Sequence, residues 1–137
     1  MAKDIYHNAV KTILLKDGWK ITDDPLRLKL GKRGLYVDLG AQKLLAAERE
    51  DRKIAVEVKS FTGLSPIKDL EQALGQYVMY SQVLGELEPD RPLYLAITNV
   101  VFGDFFVEDL PQFIVRANQI KLLVFDPDLE VISQWIL

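Results

Sequence analysis

Apolar and polar positions change their period several times along the chain, and each change marks a predicted element. Ile5, Ala9, Ile13 and Leu14 recur at helical spacing. They predict a helix over 4–16 with His7 and Lys11 turned to its other side. Gly18 stops it, with Lys16 in its last turn. A short extended piece follows around Trp19–Thr22, then a turn at Asp23-Asp24-Pro25. Leu26, Leu28 and Leu30 alternate with Arg27 and Lys29 as a half-buried strand does, and Gly31 to Gly34 turns the chain. Leu35-Tyr36-Val37-Asp38-Leu39 reads as one apolar strand interrupted by a carboxylate, with 43–48 as its extension and 49–52 as a polar turn. The clearest strand is 53–61, KIAVEVKSF, whose centre Ile54-Ala55-Val56 suits a central position. Ser65 and Pro66 open a helix that runs to Leu84, with Leu70, Ala73, Leu74, Tyr77, Val78 and Leu84 as core contacts. Leu93–Thr98 is a buried strand, and 102–118 holds one or two short helices around Pro111. Strands at 121–125 and 130–135 close the chain through Asp126-Pro127-Asp128. A helix joining two apolar strands implies a crossover. The fold class is therefore α/β, a mixed sheet flanked by helices.

Composition narrows the chemistry. The 137 residues fit one domain, 1–137, large enough for its own core. The absence of Cys excludes disulfides, zinc–thiolate sites and a cysteine nucleophile, and the single His excludes a multi-His metal site within one chain. No apolar run reaches the ~18 residues of a membrane span, and the first residues, Met1-Ala2-Lys3-Asp4, hold no signal-peptide core. The expectation is a soluble, cytoplasmic protein that stays off membranes. Charge is uneven. Residues 1–60 hold 13 Lys and Arg against 9 Asp and Glu, whereas 61–137 hold 4 against 11. A basic front half on a chain of net charge −3 steers polyanions locally, with Lys29, Lys32 and Arg33 as candidate backbone contacts. Ordinary solvated charges that happen to cluster fit the same count.

Four polar features stand out: Asp38 within an apolar run, Glu57 and Lys59 on a strand, Gln76 and Tyr80 one helical turn apart, and Asp4 with His7 on the first helix. Strand alternation points Glu57 and Lys59 to one face. Asp38 lies across a turn from Glu57, so a neighbouring strand can bring the two carboxylates together. Converging carboxylates repel, and a hard divalent cation, Mg²⁺ or Mn²⁺, relieves that repulsion. Lys59 would then orient or help deprotonate an attacking water. Plainer readings compete. Asp38 could accept backbone N–H bonds at a turn, Glu57 and Lys59 could be a solvated surface pair, and Gln76 with Tyr80 could be an ordinary helix edge. His7 suits a structural or surface helix position as well as the margin of a site. Phe102, Phe105 and Phe106 suit the core or a partner surface.

Asp38 followed by Glu57-Val58-Lys59 resembles the D…(D/E)-x-K signature of the PD-(D/E)XK nucleases, and Gln76-Tyr77-Val78-Met79-Tyr80 resembles the Q-x-x-x-Y element of their RecB-like and Holliday-junction-resolvase-like members. A longer set is similar to the XisH family, the fdxN-element excision controlling factors known mainly from cyanobacteria: DIYHNAVK at 4–11, KDGW at 16–19, DP at 24–25, DLGA at 38–41, KIAVEVKSF at 53–61 and ALGQY at 73–77. That resemblance implies a restriction-endonuclease-like fold and a role in DNA rearrangement, beside a recombinase and a small XisI-like protein. It implies Asp38, Glu57 and Lys59 as catalytic residues, Asp38 and Glu57 as metal ligands, and Gln76, Tyr80 and His7 as supports of the cleft. DNA is the implied partner, with an XisI-like protein or a second copy of the chain as further partners. The rival it leaves open is a regulatory protein that keeps the nuclease fold and works through a protein partner without cutting. Gln42 departs from the DLGAE of many relatives, which weakens metal binding if that acid is a ligand.

Overall fold

A computed structural model describes residues 3–45 and 50–137. The first helix, α1 (His7–Lys16), buries Val10, Ile13 and Leu14 together with His7. It starts later than its apolar spacing predicts. Ile5 lies before the helix and is exposed, so the buried stripe runs through 7, 10, 13 and 14, and His7 points inward rather than away. Gly18, at φ +92°, takes the left-handed position that ends the helix, and the Trp19 N–H reaches back to the Leu14 carbonyl.

Strand β1 (Lys20–Asp23) leads into a hairpin of β2 (Leu26–Leu30) and β3 (Arg33–Val37). Strands β4 (Leu39–Leu45) and β5 (Glu50–Val58) follow. The apolar run 35–39 is therefore two strands. Residues to Val37 pair with β2 in a two-stranded sheet, residues from Leu39 pair with β1 and β5 in the main sheet, and Asp38 is the joint. The predicted polar turn at 49–52 is also corrected. Glu50 to Arg52 belong to β5, while Arg49 and the predicted extension over 46–48 lie outside the described residues.

Helix α2 (Pro66–Leu87) begins where the Ser65 hydroxyl accepts the Lys68 N–H and Pro66 takes the first position. It crosses over from β5 to the parallel strand β6 (Leu93–Thr98), buried along its whole length. Short helices α3 (Asn99–Asp104) and α4 (Asp109–Ala117) make a second crossover to the parallel strand β7 (Lys121–Asp126), and β8 (Val131–Ile136) folds back antiparallel. The six-stranded order is β1-β4-β5-β6-β7-β8.

Alternation along the central strands divides the core between two faces. Ala55, Leu93, Leu95, Ile97, Leu122 and Val124 join Leu70, Ala73, Tyr77, Tyr80 and Leu84 of α2 and the inner side of the β2–β3 hairpin. Ile54, Val56, Val58, Tyr94, Ala96, Leu123 and Phe125 join α1 and Trp19 on the opposite face. Phe105 and Phe106 are buried in the first of these clusters and Phe102 packs against it, so these aromatics belong to the core. Among the described residues no helix is long and apolar enough to cross a membrane.

Candidate acidic site at the junction of the two sheets

Leu39 pairs with Val56 in the antiparallel β4–β5 ladder, so one step further Asp38 stands opposite Glu57. At that step the chain leaves one sheet for the other, and the Asp38 N–H has no ladder partner. Glu57 supplies one: its Oε1 accepts the Asp38 N–H at 3.1 Å, and Asp38 Oδ2 accepts the Val58 N–H at 2.8 Å. Each carboxylate thus caps the backbone of the opposite segment with one oxygen. Asp38 does accept a backbone N–H, as one of its plainer readings had it, but from the strand end at Val58 and not from a turn, and this brings the two carboxyls together. Glu57 is only 6% exposed, which overturns the reading of Glu57 and Lys59 as a solvated surface pair.

Burial disfavours the charged form of Glu57, and the neighbouring Asp38 charge adds to it, so the Glu57 carboxyl is pushed up to about 8. The Asp38 N–H bond and the Lys59 ammonium oppose that rise. Burial also raises Asp38, against the Val58 N–H bond and His7, which favour its charge, while Asp4 raises it further. Tyr80, 8% exposed on α2, is raised first by its own burial and then by the charges of both carboxyls. Gln76, one turn earlier, is half-buried, and its Oε1 is buried without a hydrogen-bond partner. Lys59 is half-buried just past β5, with its N–H on the Ala96 carbonyl.

The segment before α1 closes one side. Asp4 accepts the Tyr6 N–H through Oδ1 at 3.0 Å and the Ser60 N–H through Oδ2 at 2.9 Å, tying the N-terminal segment to the chain just past Lys59. His7 Nε2 lies 2.7 Å from Asp24 Oδ1, and Lys11 Nζ lies 2.7 Å from Asp24 Oδ2. Lys11 chiefly, and His7 with it, hold the Asp24 carboxyl below the usual range against some desolvation. The sequence assigns Asp24 only to a turn. The Asp-Asp-Pro run gives no sign that this carboxylate reaches α1. His7 Nδ1 is buried without a partner.

Among the described residues no three His, Asp or Glu side chains group as a metal cage, so Asp38 and Glu57 stand as a pair. Gln42 lies in β4 between Lys20 and Lys53 of the adjacent strands. Four strand residues place it about 13 Å along the chain from Asp38, outside any coordination sphere the two could share.

The family model described as XisH protein matches residues 1–133. No curated protein matches the chain. Among solved structures, an XisH family protein from Nostoc punctiforme PCC 73102 superposes with a TM-score of 0.89 at 41% identity, covering 98% of this chain and 100% of that one. An fdxN element excision controlling factor protein from Anabaena variabilis superposes with a TM-score of 0.87 at 46% identity, with the same coverage.

Proposed function

This chain belongs to the XisH family, and we propose that it acts in controlling the excision of a DNA element, the role for which its Anabaena variabilis relative is named, with Asp38 and Glu57 as a divalent-cation site for phosphodiester hydrolysis. The observation that carries the site is the reciprocal pair. Glu57 fixes one oxygen on the Asp38 N–H, Asp38 fixes one on the Val58 N–H, and the two carboxyls lie within hydrogen-bond reach of each other. A buried carboxyl and a half-buried one held against each other fit Mg²⁺ or Mn²⁺, which one or two carboxylates, waters and phosphate oxygens commonly hold. Such an ion would supply Lewis acidity to the phosphoryl group and a more acidic water. The chain's own part is positional. The two backbone bonds lock both carboxyls in place, and Lys59, on the Glu57 face, brings an ammonium that orients the water or balances charge on the phosphoryl oxygens. In this reading Gln76, with its buried unpartnered Oε1, and Tyr80 would support the site from α2 and His7 from α1. The ordered set Asp38, Glu57-Val58-Lys59, Gln76 and Tyr80 supports placing the domain with the PD-(D/E)XK nucleases.

The test is nicking of supercoiled plasmid. Wild type is expected to nick with Mn²⁺ and not with a chelator, Lys59→Ala to lose nicking while keeping the Mn²⁺-induced rise in melting temperature, and Asp38→Asn to lose both. Equal nicking by all three proteins would sink the assignment.

One observation favours a second reading, a regulatory protein that works through an XisI-like partner or a second copy of itself. Val107, Leu110 and Phe113 leave more than half of their surface exposed along and just before α4. Co-purification with an XisI-like protein, abolished by Leu110→Ser/Phe113→Ser, is the expected result there. Light scattering separates the homo-oligomer.

A further inference from the structure

We propose that the β2–β3 hairpin is a cationic ribbon that docks on the phosphate backbone of duplex DNA. This inference rests on the DNA reading above and gives it a contact element. Residues 26–37 contain Arg27, Lys29, Lys32 and Arg33 and no acid. All four cations are exposed, and none makes an ion pair among the described residues. Elsewhere on this acidic chain Lys11, Lys16, Lys43, Lys68 and Arg91 have carboxylate partners, while Lys20, Arg52, Lys53 and Arg116 make no ion pair among the described residues. A run of unpaired cations on one rigid element suits a polyanion.

The geometry suits a duplex. The inner side of the ribbon, Leu26, Leu28 and Val37, is buried against the α2 face of the core, so the base is firmly seated. Leu30 continues that inner row yet is 52% exposed, so the tip overhangs the body. On the outer side Arg27 stands opposite the exposed Tyr36 and Lys29 opposite Gly34. Arg27 and Lys29 are two strand residues apart, about 6.8 Å, which matches the axial advance of two nucleotides in one DNA strand. A two-stranded ribbon also fits the major groove. The ribbon runs straight into the acidic pair, since Val37 precedes Asp38. Arg33 lies five residues from Asp38, a chain distance of about 17 Å or five base steps, so a duplex lying along the ribbon reaches the acidic site.

The experiment compares charge-matched variants by fluorescence anisotropy on a labelled duplex of about 30 base pairs, from about 50 to 300 mM NaCl. The ribbon variant is Lys29→Gln/Lys32→Gln/Arg33→Gln. The control, Lys20→Gln/Lys68→Gln/Arg116→Gln, removes three exposed cations elsewhere. With about 0.9 in log–log slope per neutralised phosphate, wild type should show a slope near −3 to −4. The ribbon variant should lose about 2.7 of it and the control less than one. Circular dichroism establishes that each variant is folded. A ribbon variant that binds as wild type overturns the docking surface and leaves the DNA reading standing. Equal loss in both variants does the same. A wild type that fails to bind the duplex at the lowest salt removes the DNA reading along with the ribbon. Tighter binding to the matching RNA duplex, or displacement by charge-equivalent polyglutamate, overturns the assignment to DNA.

Discussion

Glu57 is a carboxyl that folding drives toward its neutral form. Its ordinary value of 4.5 rises to about 8 in the native state, first from burial and then from Asp38. The native protein therefore keeps a proton that the unfolded chain gives up. Stability from this group is complete below about pH 4.5 and is lost as pH climbs toward 8, with a slope of up to about 1.4 kcal/mol per pH unit. Glu57→Gln keeps an oxygen for the Asp38 N–H and has nothing to titrate. Urea unfolding of the metal-free proteins should show the variant with the flatter profile between about pH 5 and 8 and the greater stability at the alkaline end. Parallel profiles would refute the buried-proton account. A divalent cation has to displace that proton. Mn²⁺ affinity, read from the thermal shift, should therefore rise with pH up to about 8, by as much as about tenfold per unit, with protons released into weak buffer. Equal affinity at pH 6 and 8 would show that the ion binds elsewhere. That Asp38 and Glu57 meet was legible in the sequence, because two acids flanking one hairpin fall opposite each other when the registers agree. The buried state of His7 was not, because counting Ile5 into the helix turns the predicted apolar stripe around the axis and sends His7 to the wrong side.

At the scale of elements, the joints decide the architecture. The β3–β4 break was hidden from the sequence because Asp38 is one polar residue in an apolar run. Its immediate neighbours, Val37 and Leu39, are not the glycine or proline that usually marks a change of sheet. The crossover through α2 was legible because Ser65 and Pro66 open it, its apolar period is sustained, and two apolar strands flank it. A less visible joint lies at Gly40, which pairs with Asp23 of β1. Arg91, buried between Asp23 at 3.6 Å and Glu88 at 3.4 Å, lies across it and ties the end of α2 to β1. A Cβ at Gly40 would stand 2.6 Å from both Arg91 Nη1 and Asp23 Oδ2. These are side-chain ends, but the ion pairs and burial hold them. Gly40→Ala should therefore cost about 1–3 kcal/mol in urea unfolding. In an Arg91→Gln background, already weakened, the same change should cost clearly less. Equal costs in the two backgrounds would show that the guanidinium is not what fills this position.

The six-stranded main sheet has a core on each side, and its central strands belong to both. Ala55 faces α2 while Ile54 and Val56 face α1; Leu95 and Ile97 alternate with Tyr94 and Ala96 in the same way, as do Leu122 and Val124 with Leu123 and Phe125. Loosening one face leaves the shared strands without half of their packing, so the two faces should unfold together, as single domains of this size usually do. The chain carries a convenient reporter, because its two tryptophans lie on the same side. Trp19 is in the α1-face cluster, Trp135 packs against that cluster, and their rings are 5.9 Å apart. Leu84 is on the other side, 2% exposed beneath the end of α2. Leu84→Ala should destabilise the protein by about 2–5 kcal/mol through lost burial and the cavity left behind. Tryptophan fluorescence, which sees only the α1 face, and far-ultraviolet circular dichroism, which sees all the helices and strands, should share one urea midpoint in wild type. Both should move by the same amount in the variant. A fluorescence midpoint that stays in place while the dichroism midpoint falls would show two cores that melt separately, and a sheet that does not couple the face holding the two tryptophans to the face holding α2.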